Sequence, residues 1–175
     1  MDATTVSSIL APGSLLVMVA SVAMAVMAGA PGAHQLRAFV LERGTWLAFG
    51  VAAIATAGSL YYSEIAHFVP CEMCWFQRIF MYPQAVVLLV AAIRRDVEAW
   101  RYAVPLSAIG LLFSIYHYQL ELFPNQPTVC STSVPCTVRF VEVYGFVSLA
   151  FMAGAGFIAI LALHLAMARA RRAAR

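Results

Sequence analysis

Four apolar segments, at about residues 45–65, 76–93, 102–121 and 144–167, constrain what this chain can fold into more than any other feature. A transmembrane helix needs roughly 20 predominantly apolar residues to cross about 30 Å of hydrocarbon, and each segment is of that order. A fifth apolar segment, at about 12–30, is built largely from small residues. Four or five spans consume nearly all of the 175 residues, and 63% apolar against 11% charged residues is outside the range of a soluble domain. The expected fold is an all-α integral membrane protein, a four-helix transmembrane bundle with an additional N-terminal transmembrane helix. Little of the chain is left for a soluble domain.

The charges report topology. The net charge of +3 is carried by arginine alone, since the chain has no lysine, and the arginines lie beside apolar segments instead of forming a stripe for nucleic acid. Basic residues in short loops are retained on the cytoplasmic side. Arg37 and Arg43, then Arg94, Arg95 and Arg101, then Arg169, Arg171, Arg172 and Arg175 mark three cytoplasmic regions that alternate correctly with four spans. The gaps 66–75 and 122–143 must face outward. The expected organisation is an N-terminal hydrophobic segment and cytoplasmic linker (1–44), a four-helix membrane domain (45–167) and a basic cytoplasmic tail (168–175). "MAGAPGA" resembles a small-residue cleavage site, but "MDATTVSS" lacks the basic start of a signal peptide. An acidic, arginine-free start favours an uncleaved helix with its N-terminus outside.

Each outward gap holds two of the four cysteines: Cys71 and Cys74 as C-x-x-C, and Cys130 and Cys136 within "CSTSVPC". Outside the reducing cytosol such pairs persist as disulfides, so two structural disulfides bracing short loops are one reading. A four-cysteine zinc site is another, weakened by the five-residue spacer of one pair and by the other's position at the mouth of a membrane helix. Redox chemistry is the third, and position favours it. The helix after "PCEMCWFQRIFMYP" is expected to begin at Cys71 to Met73, which sets Cys74 in its first turn, where unpaired N–H groups stabilise a thiolate. Arg78 lies one turn below Cys74 on the same face and cannot be deprotonated. Together these make Cys74 the expected more acidic sulfur, with Glu72 mildly opposed.

Arg78 is anomalous in itself, because an arginine about 6 Å into a span costs several kcal/mol unless paired or snorkelling to the surface. A bound acceptor among the helices would use it, with Gln77 as a neutral hydrogen-bonding neighbour. By depth counting His117, four residues before Glu121, is level with Arg78, so it is either a contact for the same ligand or an interfacial histidine. Tyr116 and Tyr118 suit an interfacial aromatic belt, and His164 near the opposite end reads as interfacial. Arg139 and Glu142 are expected to hold Cys136 near the membrane surface. The sequence carries no P-loop, dinucleotide fingerprint, H-E-x-x-H or serine elbow.

"CEMCWFQRIFMYP" resembles the first thiol loop and following helix of the DsbB/BdbC family of disulfide bond formation proteins. "LSAIGLLFSIYHYQLEL" is similar to that family's third helix, and "PTVCSTSVPCTVRFVEVYGFVSLAFM" to the short second loop and fourth helix of its BdbC-type branch. The resemblance covers about residues 45–167, and the N-terminal segment departs from the usual four-helix plan. It implies a membrane thiol:quinone oxidoreductase that reoxidises a thioredoxin-fold partner of the DsbA/BdbD type and reduces ubiquinone or menaquinone, at the outer face of a bacterial cytoplasmic membrane. By the same resemblance Cys71 and Cys74 are the quinone-facing pair and Cys130 and Cys136 the partner-facing pair; by their positions Cys74, Gln77, Arg78 and His117 are the candidate quinone contacts. The implied relay runs from the partner to Cys130, from Cys136 to Cys71, and from the freed Cys74 to the quinone. A non-catalytic scaffold with two structural disulfides, or a reductase running the relay backwards, are the alternatives.

Overall fold

The structure, a computed structural model, describes residues 2–128, 130–131 and 134–174. Arg175 of the basic tail and Thr132 and Ser133 of the second cysteine loop lie outside them. Five helices are long and apolar enough to cross a membrane: α1 (Ala3–Met27), α2 (His34–Leu60, extended by a π-helical turn over Tyr61–Ile65), α3 (Glu72–Arg94), α4 (Trp100–Leu122) and α5 (Leu149–Ala173). No strand occurs among the described residues.

Helix boundaries differ from the hydropathy reading where polar residues sit inside helices. α1 starts at residue 3 instead of about 12, because the hydroxyls of "TTVSS" are absorbed locally, those of Thr4 and Thr5 by the Asp2 carboxylate and those of the two serines by the helix backbone. Ser7 Oγ donates to the Ala3 carbonyl at 2.6 Å and Ser8 Oγ to that of Thr5 at 2.8 Å. α2 starts at His34, so most of the expected 31–44 linker is helical. Its charged residues Glu42 and Arg43 pair on an exposed face, while Val40 and Gly44 are buried. Only the turn 28–33 connects α1 to α2, and Arg37 donates from Nε to the Ala28 carbonyl and from Nη2 to that of Ala30. Those carbonyls, orphaned at the end of α1, are thereby satisfied. α5 begins at Leu149, not 144. The left-handed residues Tyr144 and Gly145 close a tight turn in which Val143 and Val147 exchange backbone hydrogen bonds, and Ser148 Oγ caps the helix from the Phe151 N–H.

α5 is the centre of the bundle, packing on α1, α2 and α4, while α3 bridges α2 and α4. Its buried face carries Gly154, Ala155, Gly156, Ala159, Ala162, Ala166 and Ala170, small residues that let neighbouring backbones approach closely in the absence of a hydrophobic driving force between helices. His164 also lies in this face, buried, with Nδ1 2.9 Å from the Ile160 carbonyl oxygen, so it is not interfacial as expected. Two pairs of polar side chains inside the bundle satisfy one another, as an apolar surround favours. Ser107 Oγ donates to Gln84 Oε1 at 2.8 Å and Gln77 Nε2 to Ser114 Oγ at 3.2 Å, two ties between α3 and α4.

The ends of the bundle differ in chemistry. At one end Arg171 reaches the Val97 carbonyl and Arg169 that of Ala25, joining the arginine-rich segments. At the other, Cys71 and Cys74 at the start of α3 and Cys130 and Cys136 from the segment between α4 and α5 come together in one cluster.

Candidate functional site

Cys71 is the N-cap of α3, and its Sγ accepts the Cys74 N–H at 3.4 Å. The thiols of Cys71 and Cys74 are free and in contact, Sγ to Sγ 2.8 Å, while Cys130 and Cys136 are joined in a disulfide. Cys71 and Cys136 are both buried in a cluster with Met73 and Leu120, and Cys74, Cys130, Phe113 and Tyr116 pack against it. The second pair therefore rests on the first.

Two carboxylates hold that arrangement. Glu72 accepts the Ser131 backbone N–H on Oε1 at 3.0 Å, and its Oε2 lies 4.0 Å from Cys136 Sγ. Buried Glu121, at the end of α4, faces Arg139 Nε at 3.8 Å, and Arg139 also reaches Glu142 and the Glu121 carbonyl. Arg139 thus ties the loop that carries Cys136 to the end of α4. A stack of Tyr62 on Phe68 and Phe68 on Phe140 ties α2 and both loops together on the other side. Glu72 is the residue the sequence reading undervalued. Its charge in the first turn of α3 was visible, but its partner lies 59 positions away in the chain.

The hydrogen-bond donors of the site converge on Cys71, which lowers the pKa of its thiol. A hydrogen bond from the Cys74 thiol, assisted by the ring nitrogen of His117 and the Cys74 N–H, outweighs burial and holds the Cys71 thiol down to about 4. The expectation of Cys74 in this role reckoned with the helix dipole and Arg78. It is reversed because the capping sulfur, not the one inside the first turn, receives the donors.

His117 is buried, its Nε2 lies 3.6 Å from Cys71 Sγ, and its Nδ1 has no hydrogen-bond partner. The donor atoms of Cys71, Cys74 and His117 lie within 4.8 Å of one another, a spacing at which a thiophilic ion would find three ligands.

Arg78 belongs to a different face. Its Nε and Nη2 donate to the Ser59 hydroxyl and carbonyl on α2 at 3.0 and 3.1 Å, and its guanidinium lies over the rings of Trp75 and Tyr82. Among the described residues no carboxylate pairs with it. It lines a cavity of about 430 Å³ together with Cys74, Gln77, Ser14, Ser59, Tyr62 and Tyr82, and the remaining walls are apolar. His117 is not among the lining residues. The structure therefore brings Cys74, Gln77 and Arg78 together and sets His117 apart from them, against Cys71. Equal depth along two helices was expected to bring them to one ligand, but the two side chains face different places.

The arrangement divides one dithiol between two environments: Cys71 faces an imidazole and the loop disulfide, and Cys74 faces a cavity with an uncompensated cation. The cavity falls within the range of small-molecule sites, roughly 300–1,000 Å³, and its pairing of an apolar slot with a few polar groups at one end suits a flat, carbonyl-bearing lipid-soluble ring.

Residues 42–168 match the family described as "Disulfide bond formation protein DsbB". The chain is 48% identical over 124 residues to the probable disulfide formation protein of Oceanobacillus iheyensis, an alignment covering 67% of this chain and 83% of that one. It is 41% identical over 113 residues to disulfide bond formation protein C of Bacillus subtilis, covering 63% and 82%. A further relative, the SPbeta prophage-derived disulfide bond formation protein B of Bacillus subtilis, is 39% identical over 120 residues, covering 68% and 81%. No solved structure matches the chain.

Proposed function

The chain belongs to the DsbB family of disulfide bond formation proteins, and from that premise we propose that it is a thiol:quinone oxidoreductase of the bacterial cytoplasmic membrane, with its cysteine loops outside. Its substrate is the reduced dithiol of a thioredoxin-fold partner of the DsbA/BdbD type. Its acceptor is ubiquinone or menaquinone.

The observation that carries this reading is the division of the Cys71–Cys74 pair, with Cys74 lining the cavity of Arg78 and Cys71 packed in one cluster with Cys136. In the relay a partner thiolate attacks Cys130 Sγ, the Cys130–Cys136 bond breaks, and Cys136 leaves as a thiolate. The partner's second thiolate resolves the mixed disulfide and carries the new disulfide away. Cys136 then attacks Cys71 in the Cys71–Cys74 disulfide, Cys74 leaves, and Cys130 closes on Cys136 to expel Cys71.

Closing the Cys71–Cys74 disulfide releases two electrons and two protons, for which a quinone, when bound, would be the sink. Toward that group the chain offers Cys74 as the adjacent sulfur, Gln77 as a hydrogen-bonding neighbour, and Arg78 as a fixed donor for negative charge developing on a carbonyl oxygen. His117 Nε2, at Cys71 Sγ, is placed to hold the proton that the Cys71 thiol gives up. Its position supports a role at the sulfur instead of the ring.

The test is quinone reduction by the purified protein, driven by a reduced DsbA-like partner, in wild type and Cys74→Ser. Turnover that disappears in the variant is the expected result. No turnover with either quinone class, together with Cys71 and Cys74 resisting oxidation, would leave a scaffold with a structural loop disulfide as the better reading.

A further inference from the structure

α1 lies wholly outside the 42–168 region that matches the family, yet it forms one wall of the cavity that Cys74 and Arg78 share. Ile9, Leu10, Gly13, Ser14 and Val17 are its lining residues. Two contacts fix this wall at its end near the cysteines. Ser7, buried, has its Oγ 2.8 Å from the hydroxyl of Tyr62, itself a lining residue. Leu10 seats on α2 where Gly58 has no side chain, so close that a Cβ there would stand 3.2 Å from Leu10 Cδ1.

Beyond these contacts the wall recedes. A Cβ placed on Gly13 would meet nothing within 4 Å, and Ser14 turns its hydroxyl away to its own Ala11 carbonyl at 2.8 Å. α1 packs chiefly on α5 and only lightly on α2. Along the α1–α2 seam stand Ile9 and Ile54, lining residues that are also 59% and 62% exposed, so the cavity opens there toward the surface that lipid would cover.

We propose that α1 is the acceptor-selecting wall of this protein: a lipid quinone enters through the α1–α2 seam, and the missing side chain at Gly13 sets the width available to its ring system. The inference rests on the quinone reading above and adds a determinant that the family-matching region does not contain. A hydrophobic pocket discriminates by size through the loss of room for added atoms, at about 10-fold or more per group excluded, so the acceptor ratio reports directly on this wall.

The experiment compares full-length wild type with Gly13→Ala, Gly13→Leu and Gly13→Phe in lipid nanodiscs, using a short-chain single-ring ubiquinone and a short-chain two-ring menaquinone as acceptors. The readout is the ratio of kcat/KM for the two quinones, which a partial folding defect leaves unchanged. Alanine and leucine also favour helix over glycine, so the graded series does not depend on the phenylalanine variant. The expected result is a ratio that moves steadily against the two-ring quinone, by about 10-fold at the bulkiest residue. A ratio that stays flat while wild type turns over overturns the role of α1 and leaves the quinone reading intact. A wild type that reduces neither quinone overturns both.

Discussion

Glu72 Oε1 accepts the backbone N–H of Ser131 at 3.0 Å, so the first turn of α3 holds the loop that carries Cys130 and Cys136. The same residue flanks Cys71, and its second oxygen lies 4.0 Å from Cys136 Sγ. Glu72→Gln keeps a weaker acceptor and Glu72→Ala removes it. Exchange between the two cysteine pairs, followed by rapid quench and thiol trapping, should slow several-fold in the alanine variant and less in the glutamine one. Equal rates in all three proteins would mean that the loop is positioned by the Arg139 ties alone.

Reactivity of the reduced first pair should depend on pH in a way that reports Cys71. Its thiol is held down to about 4, chiefly by the Cys74 thiol and then by His117. The thiolate is therefore the form stabilised by the fold, present above that value and lost as pH falls through it. Alkylation should stay near its maximum from about pH 8 to about pH 5, where an ordinary cysteine slows about tenfold per unit. In His117→Phe the fall should move to higher pH. A profile that falls from pH 8 in wild type, or one that His117→Phe leaves in place, would contradict this geometry.

Arg78 presents a charge with no carboxylate partner beside a cavity, held by Ser59 and two aromatic rings. Arg78→Ala should lower kcat/KM for quinone by roughly 10² to 10³, the usual cost of losing one donor aimed at developing negative charge. Arg78→Lys should recover part of this, since it keeps the charge but not the planar fork. Partner exchange, measured in a single turnover without quinone, should lose far less. Equal losses in both steps would assign Arg78 to the fold.

Gly110 lets α4 approach α5 at Phe157: a Cβ at that position would stand 2.3 to 2.8 Å from ring atoms of a fully buried side chain. Gly110→Ala should destabilise the bundle by about 1–3 kcal/mol, the usual cost of overpacking, seen as an earlier midpoint in SDS unfolding. Gly44→Ala should cost less, because the atoms it meets belong to the flexible Met167 side chain. The reverse order would show that Phe157 moves more freely than its burial implies.

Hydropathy and composition, with nothing else, determined that this chain is an all-helical membrane protein, and the C-x-x-C at a helix mouth with Arg78 one turn below carried the family. Both signals are local: hydrophobic length follows bilayer thickness, and residues four apart on a helix share a face. Helix starts were less legible, since the polar residues of 3–11 and 34–44 lower hydropathy without breaking a helix. Tertiary structure alone decided that the donors converge on Cys71, that His117 lies against Cys71 while Arg78 lines the cavity, that Glu72 reaches Ser131, and that α1 forms a wall of that cavity. Each depends on which faces of separate helices meet, and here that was decided by the small-residue face of α5, against which α1, α2 and α4 pack. A pattern repeating every 3.6 residues specifies a face, not the helix that will cover it.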